Sequence, residues 1–225
     1  MTILIALHGN PGAPEDWDIL RNHLDPKKYR LDTFDSYGEE WKTAVLSGSD
    51  KKILIAHSWG SYPILKNLKA LAPHVEKIIL VGPYARPEKL LSPISGFLLK
   101  TPFIGKALIK SSHKKMIDHF VKEMIHPFQL TDNVYYQTLQ DRFLDWRRWQ
   151  RAAFAKLEMQ SDPWQPAWVT DVPITLLFGS EDKTSTLENQ NSIFKNYPKV
   201  TTKVIPQAGH GILWSHPAEI ISALN

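Results

Sequence analysis

The chain has 225 residues, 43% hydrophobic and 22% charged, the profile of one globular unit able to bury a core without metal or disulfide staples. It contains no cysteine, which excludes a disulfide framework, a thiol nucleophile and a cysteine-ligated zinc. A net charge of +4 with a pI near 9.1 is mildly basic, compatible with an acidic partner, an anionic surface or plain solvation.

The first apolar run, Ile3–Leu7 in "MTILIALHGNPG", has no basic start before it and no small-residue cleavage site after it. It reads as a strand rather than a signal peptide. No run approaches the roughly 20 residues of a membrane-spanning helix, so a cytoplasmic protein without a transmembrane segment is expected. Pro14–Leu24 reads as a helix, Tyr29–Phe34 and Ile53–Ala56 as strands, Gly60–Leu71 as a helix and Lys77–Val81 as a strand. After a long interruption come a strand at Ile174–Phe178, a helix at Ser185–Tyr197, a strand at Thr202–Ile205 and a helix at Pro217–Leu224. Ser185 and Glu188 have capping-box spacing. Most strands are apolar at consecutive positions, as in a parallel sheet buried on both faces, and the alternation indicates a doubly wound α/β fold.

The interruption, residues 84–168, contains no convincing strand. Pro and Gly punctuate its first half, and the second has helical periodicity through Tyr136, Leu139, Phe143, Trp146 and Phe154. It is expected to be a helical cap inserted after the fourth strand, with the core formed by 1–83 and 169–225.

The stretch "KKILIAHSWGSYPIL" sets Ser58 between a buried strand and a helix, with Ala56 two residues before it and Gly60 two after. Such a turn forces the serine into a strained elbow with its hydroxyl exposed, backed by helix N–H groups that can hold an oxyanion. Pro63 falls in the helix's first turn, where its missing N–H costs little. Serine before a helix is also an ordinary N-cap, and this motif by itself leaves both roles open. Three other sites favour chemistry. "LHGNPG" follows the first strand, and the backbone N–H of Asn10, with that of Trp59, can form an oxyanion hole. "LLFGSEDKTS" puts Asp182 just beyond a buried strand. "IPQAGHGILW" puts His210 in a Gly-flanked loop after the last strand. Separately, Asp182 reads as a turn former, His210 as a solvated histidine and His8 as loop packing. All lying at the C-terminal ends of their strands, in the order Ser58, Asp182, His210, they match a nucleophile–acid–base set.

On these residues the chain resembles the α/β-hydrolase superfamily over nearly its whole length, the cap being the least matched part. "HGNPG" and "SWGS" are similar to runs in prolyl iminopeptidases, and small capped esterases, including those acting on acyl-carrier-protein esters, look similar too. Ala56 stands where Gly is usual, and Ser61 where many members have a second Gly. The resemblance implies a mostly parallel sheet of about six strands, the family's first hairpin being absent. It also implies an acyl-enzyme mechanism with Ser58 as nucleophile, His210 as base and Asp182 as its orienting acid. Family members with dehalogenase or epoxide hydrolase activity need Asp where Ser58 stands.

No metal or other cofactor is expected: there is no H-E-x-x-H, no histidine–acid clustering and no G-x-x-x-x-G-K-S/T run. No nucleic-acid partner is implied. The expected substrate is a small-molecule carboxylic ester with a small or medium apolar acyl group. From Tyr84 to Lys115 seven basic residues, Arg86, Lys89, Lys100, Lys106, Lys110, Lys114 and Lys115, face Glu88 alone, a net +6. That charge suits an acidic carrier protein or anionic headgroups, or else a solvated helix face. An iminopeptidase would need cap carboxylates for the substrate's amino terminus, and a non-catalytic binding module is the remaining alternative. Trp146, Trp149, Trp164 and Trp168, with Phe97, Phe103 and Phe128, supply the cap's apolar bulk. They either pack it onto the sheet or roof a pocket above Ser58, for which Trp59, Trp146 and Trp149 are the candidate substrate-binding residues.

Overall fold

The central apolar runs become strands because both of their faces can be buried. The strands are β1 (Thr2–Leu7), β2 (Tyr29–Phe34), β3 (Lys52–His57), β4 (Lys77–Val81), β5 (Ile174–Gly179) and β6 (Val200–Ile205). The structure, a computed structural model, describes residues 1–84, 92–124, 145–161 and 170–225. The strands form one six-stranded sheet in the order β2-β1-β3-β4-β5-β6, every pairing parallel. Among the described residues the helices are, in chain order, α1 (Asp18–His23), α2 (Glu40–Leu46), α3 (Ser61–Lys66), α4 (Leu68–Leu71) and α5 (Pro93–Lys100). They continue with α6 (Ile104–Met124), α7 (Trp146–Ser161), α8 (Leu187–Phe194), α9 (Ile212–Ser215) and α10 (Pro217–Leu224).

Successive side chains of the central strands feed opposite layers. Leu4, Ala6, Ile53, Ile55, Ile79 and Val81 join one apolar cluster with Trp17 and Leu20 near α1 and Ile212 and Ile220 of α9 and α10. Ile3, Ile5, Leu54, Ala56, Ile78 and Leu80 join another with Trp41 of α2, Ile64 of α3 and Phe194 of α8. Period-two geometry with both faces covered explains the unbroken apolar runs. The edge strands are more polar. β6 carries exposed Thr201, Thr202 and Lys203, and it begins two residues before the strand expected at Thr202–Ile205.

Some helix expectations need correction. The helix expected at Pro14–Leu24 is a 3-10 turn, Pro14–Trp17, followed by α1; the Asp16 carboxylate accepts from the Ala13 N–H at 3.0 Å and tightens the first turn. The one expected at Gly60–Leu71 divides at Asn67, whose side-chain amide donates to the Pro63 carbonyl at 2.8 Å in competition with the backbone. The Ser185–Glu188 capping box does not form; Thr186 is the N-cap, its hydroxyl accepting from the Asn189 N–H. α2 went unforeseen because its two buried residues, Trp41 and Val45, span a single turn, too little for a periodic signal.

Between β4 and β5 the described chain is helical, α5, α6 and α7. Arg86, Glu88, Lys89, Phe128, Tyr136, Leu139, Phe143, Trp164 and Trp168 lie outside the described residues.

Candidate active site

The chain leaves β1 toward one layer, where α1 lies, and leaves β3 toward the other, where α3 lies. At such a switch the loops part and a crevice opens at the C-terminal ends of the strands. Asn10 follows β1 and Ser58 follows β3, so both stand at this point.

Ser58 opens a 3-10 turn, Ser58–Gly60, with φ +52°, a left-handed conformation costing about 1–2 kcal/mol for a non-glycine residue. The Tyr84 N–H donates to its carbonyl at 3.1 Å and helps hold it there. The turn presses against the end of β1: a Cβ on Gly60 would lie 2.6 Å from the His8 carbonyl oxygen. Only glycine permits that approach. Ser58, Asp182 and His210 are all buried.

His210 Nδ1 donates to Asp182 Oδ2 at 2.7 Å, and the Ser58 hydroxyl donates to His210 Nε2 at 2.8 Å. The second Asp182 oxygen, Oδ1, accepts from the N–H groups of Thr184 (2.7 Å) and Ser185 (2.8 Å). Burial works against charge on Asp182, but His210 and those N–H groups outweigh it and hold the carboxyl below its ordinary range. Ser185 fixes the loop further by donating its hydroxyl to the Pro83 carbonyl. Gly82, with φ +51°, lets β4 end close beside the ring; a Cβ there would stand 3.1 Å from His210 Nδ1.

This line of hydrogen bonds ends at a cavity of about 380 Å³. Asn10, Ser58 and Trp59 line its floor, and Leu99, Ile109, Met116 and Trp149 are among the inserted residues facing it. The described lining is mostly apolar and includes the half-buried Lys156 of α7. Among the described residues no cluster of histidine and acidic side chains is suited to a metal.

The sequence profile of an alpha/beta hydrolase family matches residues 4–223. The chain belongs to the alpha/beta hydrolase family. This alpha/beta hydrolase is similar in fold to an esterase from Thermogutta terrifontis, with TM-score 0.72 and 19% identity over all of this chain and 88% of that one. A hydrolase from Oleispira antarctica gives TM-score 0.70 and 13% identity over 100% and 92% of the two chains. An esterase from Exiguobacterium antarcticum gives 0.66 and 17% over 100% and 90%. No curated protein matches the sequence significantly.

Of the aromatic residues singled out from this hydrolase's sequence, Trp59 and Trp149 face the cavity. Trp146, at the first residue of α7, does not line it; its ring lies under Lys106 Nζ at 5.0 Å. Phe97 and Phe103 point to solvent, 71% and 86% exposed. His8 packs its loop as expected, donating from Nδ1 to the Gly9 carbonyl at 2.7 Å.

Two features escaped the sequence reading. His57 Nε2 donates to the His210 backbone carbonyl at 3.0 Å, and the ring packs edge-on against Trp214 at 5.3 Å. Burial first, then the neighbouring His210, pushes the His57 pKa down to about 3, so the ring stays neutral. A lone histidine within a strand buried on both faces was the available signal, since a buried ring nitrogen needs a partner. The Asn10 side chain is the second feature: it accepts from the Tyr37 hydroxyl (3.1 Å) and donates to the Ala152 carbonyl of α7 (2.9 Å). Nearby, Arg151 of α7 donates to Asp35 and lies 4.6 Å over the Tyr37 ring. These contacts join the loop after β1 to the inserted helices across more than a hundred residues, which local sequence patterns do not reveal.

Proposed function

We propose that the chain is a serine hydrolase acting on carboxylic esters with a small or medium apolar acyl group. In this reading residues 84–168 are a cap over a core formed by 1–83 and 169–225. His210 Nε2 takes the Ser58 proton as Oγ attacks the ester carbonyl. Asp182 keeps the proton on Nδ1 and stabilises the imidazolium. The backbone N–H groups of Asn10 and Trp59 receive the oxyanion. Collapse breaks the bond to the alkoxy group, which leaves as alcohol with the proton from His210. Water, deprotonated by His210, then releases the acid from the acyl-serine.

The observation that carries this reading is the buried run from Asp182 through His210 to Ser58 at 2.7 and 2.8 Å, ending at an apolar cavity. The cavity also bears on substrate class. Among its described lining residues there is no carboxylate and there is Lys156, a poor setting for the protonated amine of an iminopeptidase substrate. An ester or thioester of an apolar acyl group fits it, and a thioester or carrier-bound ester is the second reading, favoured by the lysines of α5 and α6.

A fluorophosphonate probe should label the protein, and Ser58→Ala should abolish both labelling and hydrolysis of p-nitrophenyl butyrate while leaving the fold intact. The expected loss is on the order of a million-fold; His210→Ala should match it, and the double variant should be little worse. Near-normal turnover in Ser58→Ala would refute the mechanism. Parallel assays with acyl-thioesters and proline anilides rank the substrate classes.

A further inference from the structure

The helices that wall the cavity have a second surface. α5 and α6 form a hairpin joined at Thr101–Phe103, and their inner residues Leu99, Ile109 and Met116 face the Ser58 cavity. Outward, nine large apolar residues stand most exposed among the described residues, and five of them lie on this one hairpin: Ile94, Phe97, Phe103, Ile104 and Leu108. Ile94 and Phe97 are one turn apart on α5, and Ile104 and Leu108 one turn apart on α6, so each pair shares a helix face. Such clustering marks an interaction surface rather than the scattered apolar exposure of any monomer.

Phe103 sharpens this point. It sits at the hairpin tip with φ +67° and 86% of its surface exposed. A left-handed backbone is costly for a bulky aromatic, and a side chain left in water returns little toward that cost within the chain. The hairpin is also cationic: Lys100, Lys106, Lys110, Lys114 and Lys115 are exposed, and no acidic residue occurs from Ser92 to Met116.

We propose that this hairpin docks the protein on an anionic lipid surface, with Phe97 and Phe103 entering the headgroup–acyl boundary and the lysines pairing with lipid phosphates and carboxylates. Aromatic and aliphatic side chains interleaved with lysines are what an interfacial helix pair requires. A second copy of this chain is disfavoured as occupant, because its own lysines would meet these. An acidic carrier protein would use the lysines but leaves an exposed Phe at a strained tip unexplained. The docking rests on the proposed ester-hydrolase reading only for its purpose: the inner faces of the same helices would take an ester acyl chain from that surface to Ser58.

The test is co-sedimentation of the full chain with phosphatidylcholine vesicles prepared with and without phosphatidylserine, at low and high salt. Binding should require phosphatidylserine and weaken with salt. Replacing Lys100, Lys114 and Lys115 by Gln should reduce the partition coefficient roughly a hundredfold, from the attraction of each lysine to an anionic surface. Phe97→Ser with Phe103→Ser should reduce it about tenfold or more. Both variants should keep wild-type turnover of soluble p-nitrophenyl butyrate, which reports an intact fold and site. No binding to either vesicle, or binding unchanged in either variant, overturns the proposal. Inert vesicles together with lysine-dependent binding of an acidic acyl-carrier protein would overturn it in favour of that partner. Ser58→Ala should bind vesicles like the wild type, so loss of the hydrolase reading leaves the docking result standing, and the reverse.

Discussion

Among the described residues two carboxylate–histidine couples occupy the C-terminal edge of the sheet, and only one of them leads to a hydroxyl at the cavity. Asp182, after β5, holds His210, after β6; Asp35, after β2, faces His8, after β1, with Nε2 and Oδ1 3.2 Å apart. In the first couple both side chains are 0% exposed, and His210 Nε2 remains directed at Ser58. In the second the carboxylate is 38% exposed and shared with Arg151, while His8 Nδ1 is held by the Gly9 carbonyl. Ser36, the hydroxyl beside it, donates to the His8 backbone carbonyl at 2.9 Å. The pairing of acid and imidazole is therefore common to both, and what differs is whether the far ring nitrogen meets a hydroxyl at the cavity or a backbone carbonyl. One couple has the arrangement that the proposed proton relay requires, and the other staples the loops to α7.

The largest expected contrast comes from removing each negative charge in turn. Asp182→Asn should lower kcat roughly ten-thousandfold by favouring the wrong His210 tautomer, measured on a soluble p-nitrophenyl ester. Asp35→Asn should change kcat by less than tenfold. If Glu181→Gln were the damaging change instead, or if Asp35→Asn matched Asp182→Asn, the assignment of the relay would fail.

His57 tests the relay from behind. Its ring is buried neutral, with a pKa near 3 against about 6.5 in the unfolded chain. The folded value is depressed, so this histidine's contribution to stability is complete above about pH 6.5 and is lost as pH falls toward 3. His57→Gln, which keeps an N–H to offer the His210 carbonyl, should flatten that part of the stability–pH curve in urea titrations. His57→Phe leaves that carbonyl unpaired, at a cost of about 1–3 kcal/mol. It should also lower kcat with little change in KM, because it is the position of His210 that shifts. Equal kcat in the Phe and Gln variants would reduce His57 to packing.

The contrast between relay and staple also marks what the sequence discloses. Ser58 and Asp182 each follow a strand that reads plainly from its apolar run and His210 follows the short run Thr202–Ile205, so topology carries all three to one edge. The four central strands were legible because burial on both faces leaves no ambiguity of pattern, and the more polar edge strands β2 and β6 were read from their alternation with helices. The contacts of Asn10, Asp35 and Arg151 were not, because they depend on how inserted helices settle over the sheet, and no local periodicity encodes that. Trp146 and Trp149 illustrate the limit: only three residues, nearly one helical turn, separate a ring facing the cavity from one lying under Lys106.

Breaking the staple should cost stability before it costs chemistry. Burial opposes charge on Asp35, but the neighbouring His8, the Tyr37 N–H and Arg151 prevail and hold its carboxyl well below the ordinary range. The folded value being the lower one, the stabilisation is present above about pH 4 and is lost as pH falls from there. Asp35→Asn should destabilise the protein at pH 7 by on the order of 1 kcal/mol, kept small by solvent screening of a partly exposed pair. The difference from wild type in urea midpoint should shrink at pH 3. A difference that grew on acidification would mean the charge on Asp35 is not what binds the loops.

The smallest and most discriminating change is at Asn10, which touches both systems. Its side chain bridges the Tyr37 hydroxyl and the Ala152 carbonyl of α7, whereas its backbone N–H is the one proposed to receive the oxyanion. Asn10→Ala removes the bridge and keeps the N–H. Each lost neutral hydrogen bond is worth about 0.5–1.5 kcal/mol, and what they fix is the seating of α7, whose Trp149 and Ala152 line the cavity. The expected outcome is a KM raised several-fold for p-nitrophenyl butyrate with kcat nearly unchanged, together with faster proteolytic cleavage within α7. A hundredfold fall in kcat at constant KM would instead mean that the side-chain amide itself stabilises the transition state. Asn10 would then belong with the relay, and the division between the two couples would no longer coincide with the division between sheet edge and inserted helices.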